Sequence, residues 1–182
     1  MLLSNKKKHV DLANYLSTQS KDDPFHYLHK NIGFNYRLTN IQAALGQAQM
    51  ENLEYFLSQK KVIYDYYLEK LKDIPEVELV TSSKKCVSNH WMNVIRLVGV
   101  KTKLYRDRII KELLENKIEC RPVWFPNHLQ APFKSFQSYR VRKTRSEVES
   151  CICLPSSTSL TEKDVSRVVK VIKKNSLILK KL

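Results

Sequence analysis

Along the first half of the chain, apolar and small residues recur at helical spacing. Ile41, Ala44, Leu45 and Ala48 share one face, and Thr39 or Asn40 stands where a side chain would cap the first turn. With Ala43, Ala44 and Gly46 allowing close approach, this pattern predicts a tightly packed helix. A second helical pattern, roughly 53–72, is rich in tyrosine and leucine. It stops before Ile74-Pro75, because the residue ahead of a proline is pushed out of the helical region. From Val77 the period shortens to that of strands, over Val77–Val80 and Trp91–Val100. A charged amphipathic helix over about Leu104–Asn116 and a strand Ile118–Trp124 complete a β-α-β order. A proline-broken loop (Pro122–Pro132), a short helix near Thr144–Ser150 and a strand Cys151–Leu154 follow, and Thr161-Glu-Lys-Asp164 signals the start of a terminal helix. Toward the N-terminus, Met1-Leu-Leu-Ser reads as a strand remnant and His9–Leu16 as a short amphipathic helix. Residues 20–38, with Asp22, Asp23, Pro24, Asn31 and Gly33, read as an ordered loop.

These elements predict an α/β fold. After about residue 75 a few strands form a compact sandwich covered by helices on one face, and the earlier helices tether it to something larger. The 182 residues, 42% of them apolar, suffice for a core. No run approaches the roughly 20 apolar residues of a membrane span. Met1-Leu-Leu-Ser leads into Lys6-Lys-Lys-His9 rather than a signal core, so a soluble cytoplasmic protein is expected.

Composition narrows the chemistry. Cys86, Cys120, Cys151 and Cys153 match no zinc spacing and are expected to be buried and reduced; Cys151 and Cys153 share one face of an extended segment, too close for an ordinary disulfide. His9, His26, His29 and His90 show no metal-ligand spacing either. The formal charge of +14 invites a nucleic-acid reading, but the lysines lie in short groups separated by acidic residues, without interleaved aromatics. A solvated basic surface is the expectation. Three glycines, where average usage of about 7% gives roughly a dozen, leave no glycine-rich phosphate loop. Ser156 and Ser157 follow Leu-Pro outside any nucleophile elbow.

Three motifs remain. Gly33-Phe-Asn-Tyr-Arg-Leu-Thr-Asn-Ile-Gln-Ala-Ala-Leu-Gly46, Ile118-Glu-Cys-Arg-Pro-Val-Trp-Phe-Pro-Asn-His-Leu-Gln130 and Leu154-Pro-Ser-Ser-Thr-Ser-Leu-Thr161 resemble, in order and spacing, segments of the DegT/DnrJ/EryC1/StrS aminotransferases. The tryptophan and histidine loop with Leu-Pro-Ser-Ser is most similar to members acting on UDP-linked 4-keto-6-deoxy amino sugars. The resemblance implies the fold of aspartate aminotransferase. Residues 1–57 would be the tail of the large, pyridoxal-phosphate-binding domain with its linking helix, and 58–182 the small C-terminal α/β domain. It also implies a dimeric enzyme moving an amino group from glutamate to a sugar ketone for surface polysaccharide or glycan synthesis.

Met1-Leu-Leu-Ser stands where the family has just passed the lysine that bonds to the cofactor. This chain has no counterpart of that lysine, of the phosphate-holding serine-glycine-threonine loop or of the ring-pairing aspartate, so on its own it is expected not to transaminate. By resemblance Asn35 reaches the cofactor phosphate of a neighbouring subunit, and Arg37 meets a substrate phosphate. The competing reading is that both brace a helix. His128 and Trp124 would bind substrate, the imidazole donating to a hydroxyl or diphosphate and the indole forming an apolar wall. Arg121 is expected to satisfy a carbonyl or an acidic neighbour, and Tyr64, Tyr66 and Tyr67 to pack a helix. The alternative to an enzyme fragment is a non-catalytic module that pairs with another aminotransferase chain.

Overall fold

A computed structural model describes residues 2–23, 25–99, 103–141 and 143–179. The chain divides into two compact units, Met1–Asn52 and Leu53–Leu182.

The first unit holds helix α1 (Lys7–Ser17), a small hairpin of β1 (Lys21–Asp23) and β2 (Leu28–His29), and helix α2 (Asn40–Glu51). The strand expected at Met1-Leu-Leu-Ser does not form: Met1 lies outside the described residues, and Leu2 and Leu3 are exposed and irregular. Among the described residues no strand pairs with that stretch, since β1 and β2 bond only to each other. The hairpin inside the expected loop is built by aspartates rather than by strand formers. Asp22 accepts from the Tyr15 hydroxyl (3.0 Å) and the Lys30 amide (2.6 Å), while Asp23 accepts from the amides of Phe25 (2.8 Å) and His26 (3.1 Å). These bonds favour the ionised carboxylates and hold both below the usual range, Asp22 chiefly through Lys30 and Asp23 chiefly through the His26 ring.

Helix α2 opens with a reciprocal capping box. The Gln42 amide donates to Thr39 Oγ1 at 3.3 Å, and the Thr39 amide donates back to Gln42 Oε1 at 3.0 Å. The cap is where the sequence puts it, but the tight packing is not. No residue of α2 is buried within this chain, and Ile41 and Leu45 are 84% and 63% exposed.

The second unit is a four-stranded sheet with three long helices. Helix α3 (Leu53–Leu71) leads to β3 (Val77–Leu79) and β4 (Asn93–Leu97); α4 (Lys103–Glu115) leads to β5 (Arg121–Pro122); α5 (Thr144–Ser150) runs directly into β6 (Cys151–Leu154), and α6 (Glu162–Leu179) closes the described chain. Strand order is β3-β4-β6-β5, each neighbour antiparallel. The β-α-β order is therefore split, with the last strand inserted between β4 and β5.

Alternation along β4 sends Asn93, Ile95 and Leu97 inward. Ile95 lies opposite Ile152 of β6. Against them pack Ile63, Tyr67 and Leu71 of α3, Ile109 and Leu113 of α4, and Val165, Val168 and Ile172 of α6. Each such side chain contributes about 1.5–3 kcal/mol on full burial. Tyr67 is fully buried, with Tyr64 and Tyr66 packed against the cluster, as expected of helix-packing residues. On β6, Cys151 and Cys153 alternate with Ile152 and Leu154, and all four are buried. Cys120 is buried too, its thiol pushed up to about 11 by burial; Cys86 is exposed, so the expectation of four buried cysteines holds for three. Among the described residues no helix is long and apolar enough to cross a membrane.

Candidate functional site

In the first unit the motif glycine acts by what it lacks. A Cβ on Gly33 would stand 2.3 Å from the Gln19 carbonyl carbon and the Ser20 nitrogen, so only glycine lets the segment pass. That close approach zips residues 33–37 onto the end of α1. Phe34 donates to the Leu16 carbonyl (2.7 Å), Gln19 to Phe34 (3.0 Å) and Tyr36 to Ser17 (3.1 Å), and Asn35 bridges to Thr18. The rings of Phe34 and Tyr36 stack at 5.2 Å and 10° on one side of this extended stretch, which puts Asn35 and Arg37 on the other. Both are exposed. Arg37 Nη2 donates to Asn14 Oδ1 of α1 at 3.1 Å, so the guanidinium does brace a helix, the preceding one. An amide and a guanidinium on one edge of a pinned strand are donors suited to a phosphate oxygen.

Trp124 lies in the larger cavity, an open cleft of about 580 Å³ bounded by the β5–β6 edge and α6. Its indole stacks on that of Trp91 with centroids 5.8 Å apart and planes at 28°. His128 is not there. It sits half-buried in a second hollow of about 390 Å³ with Phe133, Phe136 and Tyr139, in the 3-10 turn Asn127–Leu129. The pairing of Trp124 and His128 in one pocket does not form, because the buried Pro126 and the turn after it carry the imidazole away from the indole.

The structure supplies Trp91 in its place, a residue read from sequence only as the first of a strand. The strand begins later, at Asn93, because His90 adopts a left-handed conformation (φ 47°) and Asn89 Oδ1 accepts from the Trp91 amide at 3.1 Å. The Tyr64 ring packs against His90 with centroids 4.3 Å apart and planes tilted by 35°, and Lys60 Nζ donates to the Trp91 carbonyl at 3.3 Å. The signal open to a reader was the Ser88-Asn89 pair ahead of an aromatic, since both residues favour turns.

Leu154-Pro-Ser-Ser proves to be a junction. Ser156 Oγ accepts from the backbone and side-chain nitrogens of Asn93 (2.9 and 3.1 Å) and donates to the Leu154 carbonyl (3.0 Å). Lys60 Nζ donates to the Ser156 carbonyl, and the Tyr67 hydroxyl to that of Pro155 (3.1 Å). Partial burial lowers the Lys60 pKa, because desolvation costs the charged ammonium more than the neutral amine. Ser156 is thus engaged as a tie, in keeping with the absence of an elbow. Arg121 pairs with the adjacent Glu119 at 2.5 Å, as expected. Among the described residues no cluster of three histidine, cysteine or acidic side chains could hold a metal ion.

Comparison with known proteins accounts for this arrangement. Residues 1–173 match the DegT/DnrJ/EryC1/StrS aminotransferase family. The chain is 34% identical to EpsN of Bacillus subtilis over 176 residues, covering 94% of itself and 45% of that protein. It is 31% identical to the GDP-perosamine synthase of Caulobacter vibrioides over 172 residues, covering 93% of itself and 46% of that protein. In fold it follows Helicobacter pylori PseC, an aminotransferase involved in the biosynthesis of pseudoaminic acid, with a TM-score of 0.78 at 20% identity over 96% of this chain and 48% of that one. The chain spans about half the length of the curated relatives it matches. The three motifs, the split sheet and a match along nearly the whole chain place this protein in the DegT/DnrJ/EryC1/StrS aminotransferase family.

Proposed function

We propose that this chain forms the C-terminal part of a pyridoxal-phosphate-dependent sugar aminotransferase, comprising the end of the large domain and the small domain. The substrate class is a nucleotide-linked 4-keto-6-deoxy sugar. The Trp124 and His128 loop and the Leu-Pro-Ser-Ser junction favour a UDP-linked amino sugar, with glutamate as amino donor and a cytoplasmic role in surface polysaccharide synthesis. The observation that carries the reading is the edge formed by Asn35 and Arg37, two hydrogen-bond donors suited to a phosphate, on an extended segment whose close approach requires Gly33.

The donor set fits the phosphate end of the cofactor. Asn35 would hold that group and Arg37 the substrate diphosphate, both offered to the active site of a neighbouring subunit. Bound cofactor supplies the electron sink for amino transfer. In this proposal the lysine that carries it belongs to a segment outside residues 1–182. Co-expression with the N-terminal half of a family member, followed by glutamate-dependent amination of UDP- and GDP-linked 4-keto sugars, tests it. Amination that appears only when both parts are present is the expected result. Its absence in a folded assembly, or amination by the 182-residue chain alone, would sink the proposal.

A second reading, a non-catalytic module docking on another aminotransferase chain, draws on α2, whose Ile41 and Leu45 are exposed throughout this chain. A stable complex with such a chain that leaves turnover unchanged would favour it.

A further inference from the structure

Helix α6 carries its charge differently from its neighbours in the second unit. Helices α3, α4 and α5 each set a cation four residues before an acid, as in Lys61–Asp65 (2.6 Å), Lys111–Glu115 (3.8 Å) and Arg145–Glu149 (3.0 Å). In α6 the residues at such spacings are cations themselves. Lys163, Arg167, Lys170 and Lys174 follow one another at intervals of four, three and four, which sets them on one face. All four are exposed, and the buried Val165, Val168 and Ile172 occupy the opposite face, so the stripe points away from the core.

The acids of α6 lie in its first turn and are engaged there. Glu162 pairs with Lys70 of α3 at 2.7 Å, and Asp164 accepts from the Thr161 amide at 2.9 Å while lying in the field of Arg167 and Lys163. They offset the start of the stripe and leave its far end bare. From Val165 to Leu182 the sequence holds six lysines and arginines and no acid, and among the described residues Lys170, Lys173 and Lys174 form no ion pair. Like charges three and four residues apart repel and weaken a helix. None of these cations stands in the last turn, where it would answer the helix dipole. The stripe is therefore a cost to the fold that an anion outside the second unit offsets.

We propose that this face of α6 docks on an anionic phospholipid surface, its lysines meeting the lipid phosphates. A helix face bearing a cluster of four or more cations is drawn to such a surface by charge alone. The shape agrees, since the stripe is a convex ridge roughly 16 Å long that can meet a plane and cannot enclose a peptide. It carries no aromatic ring to stack on a base, and its neighbouring hydroxyl, on Ser166, already donates to the Glu162 carbonyl (2.8 Å). Because the apolar face of α6 stays in the core, the contact is made at the headgroups without insertion. On this face the solvated basic surface expected from composition becomes a docking surface, and the inference is independent of amino transfer.

The 182-residue chain is sedimented with phosphatidylcholine vesicles and with vesicles holding about one-third phosphatidylglycerol, and titrated separately with duplex DNA. Retention by the anionic vesicles alone, falling steeply as salt is raised, is expected. Lys170→Gln combined with Lys174→Gln should weaken it roughly thirtyfold. Lys84→Gln combined with Lys85→Gln removes the same charge from an exposed loop and should stay within a few-fold. The stripe variant should also unfold at a slightly higher temperature, because repulsion along the helix is relieved. No retention by anionic vesicles, equal retention by neutral ones, equal loss in the two double variants, or a lower unfolding temperature for the stripe variant overturns the proposal. Tighter binding to the duplex than to anionic vesicles overturns it in favour of a nucleic-acid surface.

Discussion

Gly33 passes so close to Ser20 that a Cβ at position 33 would lie 2.3 Å from the Ser20 nitrogen and 2.4 Å from its Oγ. The Ser20 nitrogen and the Gln19 carbonyl carbon, also 2.3 Å away, are backbone that cannot swing aside, and Gln19 and Ser20 are already in left-handed conformations (φ 68° and 51°). Gly33→Ala should therefore cost about 1–3 kcal/mol, as overpacking does. Hydrogen exchange would show the loss first at the amides of Gln19, Phe34 and Tyr36, while Gly46→Ala, with nothing within 4 Å of its Cβ, should protect α2 slightly better than wild type.

Ser156 and Ser157 should separate cleanly. Ser156→Ala strips two hydrogen bonds from Asn93, which is 1% exposed, and stranding a buried donor costs about 1–3 kcal/mol. Ser157 is bonded to Ser159 near the surface, and its replacement by alanine should stay within about 0.5 kcal/mol. Urea unfolding followed by tryptophan fluorescence measures both. A Ser157 variant as costly as the Ser156 one would contradict the junction.

The thiols should react with a reagent as one exposed and three hidden groups. In native protein a thiol reagent should label Cys86 alone at speed, and the other three only after denaturation. Burial raises the pKa of Cys120 to about 11 and moves those of Cys151, Cys153 and the Tyr67 phenol up as well, so the folded chain keeps these protons where the unfolded chain gives them up. Their contribution is complete below the unfolded thiol range near 8.5 and is lost as pH rises toward 11. The urea midpoint should fall across that window, and Cys120→Ala should flatten the fall.

Arg37→Ala should leave the unfolding midpoint nearly unchanged, because the side chain is exposed and its hydrogen-bond partner among the described residues is Asn14 on the surface. In an assembled enzyme the same change should raise the KM for nucleotide sugar by roughly tenfold or more, the worth of a charged hydrogen bond. Equal losses of stability and affinity would instead make Arg37 a brace and nothing more.

Local signals made much of the second unit legible. The start of α6 and the strand Cys151–Leu154 fall where the sequence puts them, because the Thr161–Asp164 capping pattern and a short apolar run each act within a few residues. Long-range effects account for the rest. The expected strand 118–124 shrinks to Arg121–Pro122, since the Ile118 amide bonds back to the Leu113 carbonyl (2.9 Å) and turns that stretch into the end of α4. The strand expected over 91–100 stops at Leu97, and Gly99 turns away at φ 80°; Val100 lies outside the described residues. At the site, family motifs named Trp124, while Trp91 was hidden because its partner lies 33 residues on and no periodicity joins them. Nor could composition tell that the proline between Trp124 and His128 parts them.

The strand at the centre of the sheet is also the last to be made. Residues 151–154 must slide between β4 and β5, so a ribosome releasing this chain exposes Asn93–Leu97 as an unmatched edge until all but the final helix has emerged. The second unit is in that sense a lock whose key is cut late, and a stall before Cys151 would leave a nascent chain prone to pair with its neighbours.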